Sequence, residues 1–309
     1  MTGEIKAICI SEKRGTQKYE IPEAELITEF GIRGDAHAGK WHRQVSLLSY
    51  DEIENFKQRG ASVDNGAFGE NIIIEGYDLK KLPIGSRFTC GEVVLDLTQV
   101  GKQCHSHCEI YKQVGDCIMP REGVFTRVIN GGKLKKGDVL TLTLPGERAY
   151  KTGVITMSDK GAAGEREDLS GPAIRKCLPV EDFLVSDYMI LPDEREGLER
   201  ELKRLCQEGC NLILTTGGTG FSKRDITPEA TLAVAERNAP GIAEAIRAES
   251  MKYTNRAMLS RAVSVIRGEC LIINLPGSPK AVRESLEIIL PGVKHGLDIL
   301  TGRDGECGR

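Results

Sequence analysis

Residues 215–229 read TTGGTGFSKRDITPE, a glycine loop that follows an apolar run and precedes a helix start. The apolar run, NLIL at 211–214, is typical of a strand in a parallel sheet that is covered on both faces. Thr227 is a good N-cap residue, and Pro228 suits the first helical position. Glycines between the two elements let main-chain N–H groups approach an anion, which the helix N-terminus also favours. The stretch therefore indicates a phosphate site with Asp225 beside it.

A tight turn without a ligand is the alternative, because glycine-rich turns between strand and helix are common. The loop is not a Walker A motif, since no Gly-Lys-Ser/Thr closes it. Asp225 could also be a charge that only stabilises a helix N-terminus. However, polar loops follow three strand-like runs, at Ser158-Asp159, Gly217–Asp225 and Pro276–Pro279. Strand ends of an α/β sheet meet at one edge, so this convergence favours the phosphate site.

The chain has 309 residues, which exceeds one typical domain. In its first half, short strand-like runs alternate with turns, and one helix is expected at Tyr50–Arg59 with Ser49 as its cap. This pattern predicts a closed or nearly closed β-barrel with little helix. In the second half strands alternate with helices, which predicts a doubly wound α/β domain. A polar break, PGER, separates the expected domains, residues 1–146 and 151–309.

Composition argues against two classes of partner. The formal net charge of −3 lends no electrostatic support to binding of nucleic acid or an anionic membrane. No apolar run has the length of a membrane span, and the N-terminus lacks a signal-peptide pattern. We therefore expect a cytoplasmic protein whose ten cysteines are buried thiols, metal ligands or reactive thiols rather than disulfides.

Asp193 and Asp225 are the best-placed carboxylates for a nucleotide site. Transfer of a phosphoryl-type group requires main-chain donors, a hydrated Mg²⁺ ion and carboxylates that hold the ion. Each of these two acids lies between a strand or loop and an expected helix start. For Asp193 the alternative is an N-cap of the helix expected at Glu194–Gln207.

Seven motifs of the second half, taken together, resemble the molybdopterin adenylyltransferases of the MogA/MoaB type. They are TMSD (156–159), DLSGP (168–172), PDE (192–194), TGGTG (216–220), RDITPEAT (224–231), AMLSR (257–261) and NLPGSP (274–279). Their order and spacing agree over nearly all of residues 151–300. The resemblance implies Mg-ATP-dependent adenylylation of molybdopterin, with pyrophosphate as the second product. It also implies a homotrimer and a separate molybdate-insertion protein downstream.

The same resemblance implies roles for individual residues. Asp193 and Asp225 would act as catalytic acids that handle Mg²⁺ and phosphate, and Ser260 would lie in the active site near the pterin. For Ser260, a hydrogen bond within a helix end is the alternative. The implied nucleotide- and pterin-binding residues are Ser158, Asp159, Ser170, Gly171, Gly217, Gly218, Thr219, Gly220, Pro276, Gly277 and Ser278. The PGSP stretch could instead be only a turn before a final helix, which we expect to end near Leu290.

The segment KQCHSHC at 102–108 concentrates two thiols and two imidazoles in the first half. A zinc site is one reading, because Cys and His are the usual zinc ligands, but five adjacent positions rarely surround one tetrahedral ion. A buried thiol with surface histidines is the second. We favour the third, a reactive thiol activated by Lys102 and the imidazoles.

The first half is similar to MOSC domains over residues 1–145. The motifs are GIRGDAHAG (31–39), GAFGEN (66–71), LPIG (82–85) and the segment 99–104. The resemblance implies a β-rich domain that associates with the molybdenum cofactor. Cys104 matches the key cysteine, proposed to carry sulfur or to ligate molybdenum, while Cys108 and Cys117 are extra thiols. Five basic residues could hold the pterin phosphate or be solvated surface: Arg33, His37, Lys102, Arg121 and Arg127.

Two hypotheses of function follow. In the first, the chain is a fused enzyme whose second domain adenylylates molybdopterin and whose first domain binds or modifies the cofactor. In the second, it is a non-catalytic carrier or storage protein for the pterin cofactor, with the MOSC domain carrying sulfur. Only the first hypothesis predicts consumption of ATP.

Overall fold

The computed structural model describes residues 1–59, 62–102 and 117–303. The chain divides into two compact units, the first Met1–Gly146 and the second beginning at Glu147. Within the described residues, no helix is both long enough and apolar enough to cross a membrane.

The first unit is mostly strand. Its elements are β1 (Thr2–Ile10), β2 (Tyr19–Ile21), β3 (Glu23–Ile27), β4 (Gly31–Ile32), β5 (Val45–Ser49), α1 (Tyr50–Gln58), β6 (Ile72–Glu75), a 3₁₀ turn (Leu79–Lys81), β7 (Arg87–Cys90), β8 (Val93–Val100), α2 (Met119–Glu122), β9 (Val124–Asn130), β10 (Gly132–Lys135) and β11 (Val139–Thr143). Seven strands pair in the order β11-β7-β8-β9-β5-β6-β1, and β11 pairs with β1 to close the ring. This closed ring confirms the predicted barrel.

Alternation along the strands separates the barrel interior from the layer under α1. In β5, Val45 and Leu47 join the barrel core, whereas Leu48 faces the opposite way and packs in a cluster with Ile53 and Phe56 of α1. Helix α1 lies where the sequence predicted it. Ser49 is its N-cap residue, but among the described residues its side chain makes no capping hydrogen bond.

The second unit alternates strands and helices. Its elements are β12 (Tyr150–Met157), α3 (Asp159–Ala162), α4 (Ser170–Cys177), β13 (Phe183–Leu191), α5 (Arg195–Gln207), β14 (Leu212–Thr216), α6 (Thr227–Ala233), β15 (Arg237–Asn238), α7 (Pro240–Ser250), a 3₁₀ turn (Asn255–Leu259), β16 (Ser264–Arg267), β17 (Cys270–Leu275) and α8 (Pro279–Leu300). The sheet order is β13-β12-β14-β17-β16-β15. The first four strands run parallel, and β16 and β15 are antiparallel to their neighbours.

Both faces of this sheet are covered. On one face α4, α7 and α8 share a core with alternate strand residues, which include Val154 and Leu214. On the other face α5 packs with the intervening residues, which include Ile155 and Ile213. Burial on both faces explains why the strands read as continuous apolar runs. The carboxyl ends of β12, β13, β14 and β17 lie at one edge, since these strands are parallel.

The final helix extends beyond its predicted end. The sequence suggested an end near Leu290, before Pro291, but α8 continues to Leu300 with Pro291 inside it. Val293 and Leu297 are buried in the same core as the first half of the helix. Packing of this second stretch outweighs the one hydrogen bond that the proline ring removes.

Candidate active site

The glycine loop leaves the carboxyl end of β14 in a conformation that requires glycine. Gly217 and Gly218 have φ angles of +92° and +62°, in the left-handed region. A Cβ on Gly217 would lie 2.4 Å from the carbonyl oxygen of Met157, and a Cβ on Gly218 would lie 2.4 Å from Oγ1 of Thr227. The loop therefore packs directly against the end of β12 and the start of α6.

Thr227 ties this loop to α6 instead of capping the helix. The sequence predicted Thr227 as the N-cap, but the N-cap residue is Ile226 and Thr227 is the first helical residue. The Thr227 hydroxyl donates to the carbonyl oxygen of Gly217 at 2.9 Å, and its N–H donates to that of Gly218 at 3.1 Å. The turn places these carbonyls within reach of Thr227, so its hydroxyl serves the loop.

Asp193 and Asp159 join the carboxyl ends of β13 and β12. The Asp159 N–H donates to Oδ2 of Asp193, and the Asp193 N–H donates to Oδ1 of Asp159, both at 3.0 Å. The alternative reading of Asp193 as a helix N-cap is wrong, because α5 begins at Arg195 with Glu194 as its N-cap residue. These two hydrogen bonds direct the carboxylate of Asp193 towards the segment that follows β12 and not towards the start of α5.

Negative charge is concentrated around Asp193. Burial raises the pKa of the Asp193 carboxyl, and the charges of Asp159 and Asp225 raise it further, against the lowering effect of the Asp159 N–H and Arg224. Arg224 forms a two-pronged ion pair with Asp159, at 3.0 Å from Nε to Oδ2 and 2.6 Å from Nη2 to Oδ1. This hydrogen-bonded pair lowers the pKa of Asp159. Oδ2 of Asp225 accepts the Ser222 N–H at 2.8 Å.

A cleft of about 300 Å³ opens at this edge of the sheet. Its volume is at the lower end of the range of small-molecule sites. Seven of the candidate residues line it: Ser158, Ser170, Asp193, Gly217, Gly218, Asp225 and Gly277. The remaining candidates of the second unit are not among the lining residues: Asp159, Gly171, Thr219, Gly220, Ser260, Pro276 and Ser278.

Hydrogen bonds connect lining residues of the cleft to the PGSP turn. The hydroxyl of Thr216 donates to the carbonyl of Pro276 at 2.6 Å, and the hydroxyl of Ser170 donates to that of Gly277 at 2.9 Å. Oγ of Ser278 caps α8 by accepting the N–H of Ala281 at 3.2 Å. The PGSP turn is thus hydrogen-bonded to the end of β14 and the start of α4.

Ser260 ends the 3₁₀ turn that precedes β16. Its N–H donates to the carbonyl of Ala257 at 3.1 Å, and its hydroxyl oxygen accepts the N–H of Ala262 at 3.4 Å. These contacts agree with the alternative in which the Ser260 hydroxyl serves local backbone.

Asp168 is a cleft residue that the sequence reasoning did not single out. Its Oδ2 accepts from the hydroxyls of Thr156 at 2.6 Å and Tyr188 at 2.7 Å, and its Oδ1 accepts the N–H groups of Ser170 and Gly171 at 2.8 and 3.2 Å. The carboxylate thereby fixes the start of α4 against β12 and β13. An aspartate two residues before a helix start, at Ser170, is typical of an Asx turn and was the available signal.

A second cavity, of about 490 Å³, lies in the first unit. Its described lining contains cationic and aromatic side chains but no Asp or Glu: the residues include Lys18, His37, Trp41, Arg43, Phe68, Lys102 and Phe125. Of the five basic candidates, His37 and Lys102 line this cavity. Arg33 and Arg127 instead pair with Glu25 and Glu29, and Arg121 lies on α2.

Arg43 is a lining residue that the sequence reasoning missed. Its guanidinium lies 4.7 Å from the ring centroid of Trp41 and 5.6 Å from that of Phe125. Within the described part of the chain its buried Nε has no hydrogen-bond partner. Nothing in the sequence distinguished Arg43 from a surface arginine, because its neighbours come together only in the folded chain.

One lining residue of this cavity, Lys18, belongs to a group of buried charges. Lys18 and Asp35 form a buried ion pair at 3.0 Å, and Asp35 also accepts the N–H of Ser11. Burial lowers the pKa of Lys18, while its hydrogen bonds and nearby cations hold the pKa of Asp35 well below its usual range despite burial. Glu70 is buried, and its carboxylate accepts the N–H of Phe68, a lining residue of the cavity.

Cys104 and Cys108 lie outside the described residues, as do the imidazoles between them. Lys102, two positions before Cys104, is the last described residue of that segment and lines the cavity. Cys117 is buried in the cluster under α1. In residues 1–59, 62–102 and 117–303, no group of three His, Cys, Asp or Glu side chains is placed to hold a metal ion.

Comparison with known proteins assigns each unit a counterpart. Residues 153–295 match the model of a probable molybdopterin binding domain, and residues 34–141 match the MOSC domain. The molybdopterin adenylyltransferase of Helicobacter pylori strain J99 is 44% identical over 155 residues, which cover 48% of this chain and 87% of that protein. The molybdopterin adenylyltransferase of Haemophilus influenzae is 48% identical over 142 residues, or 44% of this chain and 71% of that protein.

A solved structure is similar to half of the chain. The molybdopterin biosynthesis enzyme MoaB of Thermus thermophilus is 47% identical and matches 50% of this chain and 97% of its own, with a TM-score of 0.48.

Proposed function

The chain belongs to the molybdopterin adenylyltransferase family, and on that premise we propose that its second unit adenylylates molybdopterin with Mg-ATP and releases pyrophosphate. The observation that carries the proposal is the cleft in which the glycine loop meets Asp193 and Asp225 at the ends of parallel strands. Nucleotide sites of α/β proteins lie at this edge of the sheet. A homotrimer, a cytoplasmic location and a downstream molybdate-insertion protein stay predictions.

The proposed reaction is an in-line displacement at phosphorus. An oxygen of the terminal phosphate of molybdopterin attacks the α-phosphorus of ATP and forms a new P–O bond. The bond from that phosphorus to the bridging oxygen breaks, and pyrophosphate leaves with the electron pair. Gly217 and Gly218 line the cleft, so the main chain of the loop would be within reach of phosphate oxygens. Positioning and charge stabilisation account for most of the catalysis in reactions of this class.

Asp193 and Asp225 are the residues that would hold Mg²⁺. The donor set fits this ion, because Mg²⁺ is commonly held by one or two carboxylates and completes its shell with water and phosphate oxygens. Burial is the main cause of the raised pKa of Asp193, and the charges of Asp159 and Asp225 add to it; a divalent cation would offset the negative charge of these carboxylates. When bound, the ion would neutralise charge that develops on the phosphates.

The test is pyrophosphate release from Mg-ATP in the presence of molybdopterin. We expect turnover by the wild-type chain and its loss in Asp225→Asn, which keeps an oxygen for the Ser222 N–H. Glu244→Gln removes an exposed carboxylate from α7 and serves as the charge-matched control. Absence of turnover in the wild type would refute the activity, and wild-type rates in Asp225→Asn would remove Asp225 from the mechanism.

For the first unit we propose that the 490 Å³ cavity binds the molybdenum cofactor. Cationic and aromatic side chains without a described carboxylate suit a planar ring that carries a phosphate. The Nε of Arg43, which has no hydrogen-bond partner among the described residues, would supply a donor for that phosphate. Cys104, which follows Lys102 closely, would carry sulfur or ligate molybdenum.

Arg43→Leu should weaken retention of the pterin cofactor, with Arg59→Leu at the exposed end of α1 as the control. Cys104→Ser should reduce retention of sulfur or molybdenum without loss of the pterin. If Arg43→Leu retains pterin at the wild-type level, the cavity is not the site. Tight pterin binding without ATP consumption would support the carrier hypothesis instead.

A further inference from the structure

Arg261 connects the parts of the glycine loop on either side of its exposed tip, residues 221–224. Its Nε donates to the carbonyl of Gly220 at 2.6 Å, and its Nη2 donates to the carbonyl of Asp225 at 2.6 Å. The Arg261 main-chain N–H donates to the carbonyl of Thr219 at 2.9 Å, and Nη1 pairs with the Glu229 carboxylate. One residue thus contacts the loop before and after its exposed tip, as well as helix α6.

An arginine is the side chain that can make these contacts together. Its planar guanidinium presents several N–H donors in fixed directions, whereas a lysine ammonium is a single compact centre. The tip, residues 221–224, is exposed. Its other ties are the ion pair from Arg224 to Asp159 and the turn that Ser222 forms with Asp225. Loss of Arg261 would also leave the Glu229 carboxylate without its cation; Oε2 of that group is already buried without a hydrogen bond in the described chain.

We infer that Arg261 is a positioning residue that holds Asp225 and the glycine loop in the geometry required for adenylyl transfer. The inference rests on the proposed function for its catalytic consequence. Arg261 is not among the residues that line the cleft, so it acts through the backbone of Asp225 and Gly220. Replacement of a residue that orients a metal-binding group typically lowers metal affinity or activity by about 10- to 100-fold.

The kinetic test compares Arg261→Ala and Arg261→Lys with the wild type in pyrophosphate release. We expect Arg261→Ala to lower kcat by about 10- to 100-fold and to raise the Mg²⁺ concentration for half-maximal rate, while Arg261→Lys recovers part of both. Arg256→Ala, which removes an exposed arginine of the preceding 3₁₀ turn, is the matched control. An unchanged Mg²⁺ requirement, or a rate loss that only follows the unfolded fraction, would overturn the inference.

A second test does not depend on catalysis. The exposed tip contains Lys223 and Arg224, so trypsin can report whether the loop is held. We expect faster cleavage at these two residues in Arg261→Ala than in Arg256→Ala, and an intermediate rate in Glu229→Gln, which keeps both carbonyl contacts. Equal cleavage rates in all three variants would refute the inference that Arg261 holds the loop. If the wild type released no pyrophosphate, the proposed function would fail, while the cleavage rates would still decide the inference about the loop.

Discussion

Replacement of Glu70 by glutamine should change how the stability of the first unit depends on pH. Glu70 is fully buried, and its carboxyl oxygens accept the N–H groups of Gly66 at 2.7 Å and Phe68 at 3.0 Å. Burial raises the pKa of Glu70 from its ordinary 4.5 to about 7, against the lowering effect of these N–H groups and of Lys18. Glutamine has nearly the same shape and cannot ionise, so it imitates the protonated acid.

The magnitude follows from the two pKa values. Because the pKa is higher in the folded chain than in the unfolded chain, the stabilising contribution is fully present below 4.5 and is lost as the pH rises through about 7. At about 1.4 kcal/mol per pH unit, the loss amounts to about 3 kcal/mol. Relative to Glu70→Gln, the wild type should therefore lose about 3 kcal/mol of unfolding free energy between about pH 4.5 and about pH 8.

Urea unfolding followed by the fluorescence of Trp41 measures this difference. Trp41 is the only tryptophan of the chain and lies in the first unit, so its signal reports that unit. Glu92→Gln, at an exposed position, is the control and should follow the wild-type pH curve. Parallel pH curves for the wild type and Glu70→Gln would refute the reasoning, because Glu70 would then ionise as readily in the folded chain as in the unfolded one.

Three further predictions concern the second unit. Gly217→Ala should destabilise the chain by at least about 1–2 kcal/mol, which is the cost of an alanine in the left-handed region, and should abolish turnover. Gly241→Ala, in open space on α7, should do neither, and a stable, active Gly217→Ala would contradict the described loop. Asp193→Asn should lose turnover yet be at least as stable as the wild type at neutral pH, because a carboxyl whose pKa is raised in the folded chain lowers stability once it is ionised. Thermal unfolding measures this difference, and a variant clearly less stable than the wild type would refute the prediction. Leu297→Ala should cost about 2–5 kcal/mol in chemical denaturation because α8 continues past Pro291, and a cost below about 0.5 kcal/mol would indicate a helix that ends earlier.

The barrel and the main elements of the second unit could be predicted because their signals are local. The strand at 212–216 is an apolar run followed by glycines. The sharp turn after it requires a positive φ at residue 217, which glycine adopts without strain. Asp193 and Asp225 were identified because each stands between a sheet element and a helix start. Both acids line one cleft because the strands are parallel, so that their carboxyl ends lie at the same edge of the sheet.

The errors arose where distant segments compete for the same groups. Thr227 has a side chain that suits an N-cap, but its hydroxyl instead donates a hydrogen bond to the carbonyl of Gly217. The alternative reading of Asp193 as an N-cap failed for a similar reason, because its carboxylate accepts the N–H of Asp159, the first residue of α3. Pro291 has the character of a helix terminator, but core packing carries α8 past it.

Local sequence patterns were enough to predict the two units, the glycine loop and the acids beside it, because periodicity, glycine and short motifs act over a few residues. The folded chain was needed to show that Arg261 holds the loop on both sides of its tip and that Asp168 fixes the start of α4. It alone showed that Arg43 lies between Trp41 and Phe125 over a cavity. These contacts join residues far apart in the chain, and their partners become defined only when folding brings the segments together.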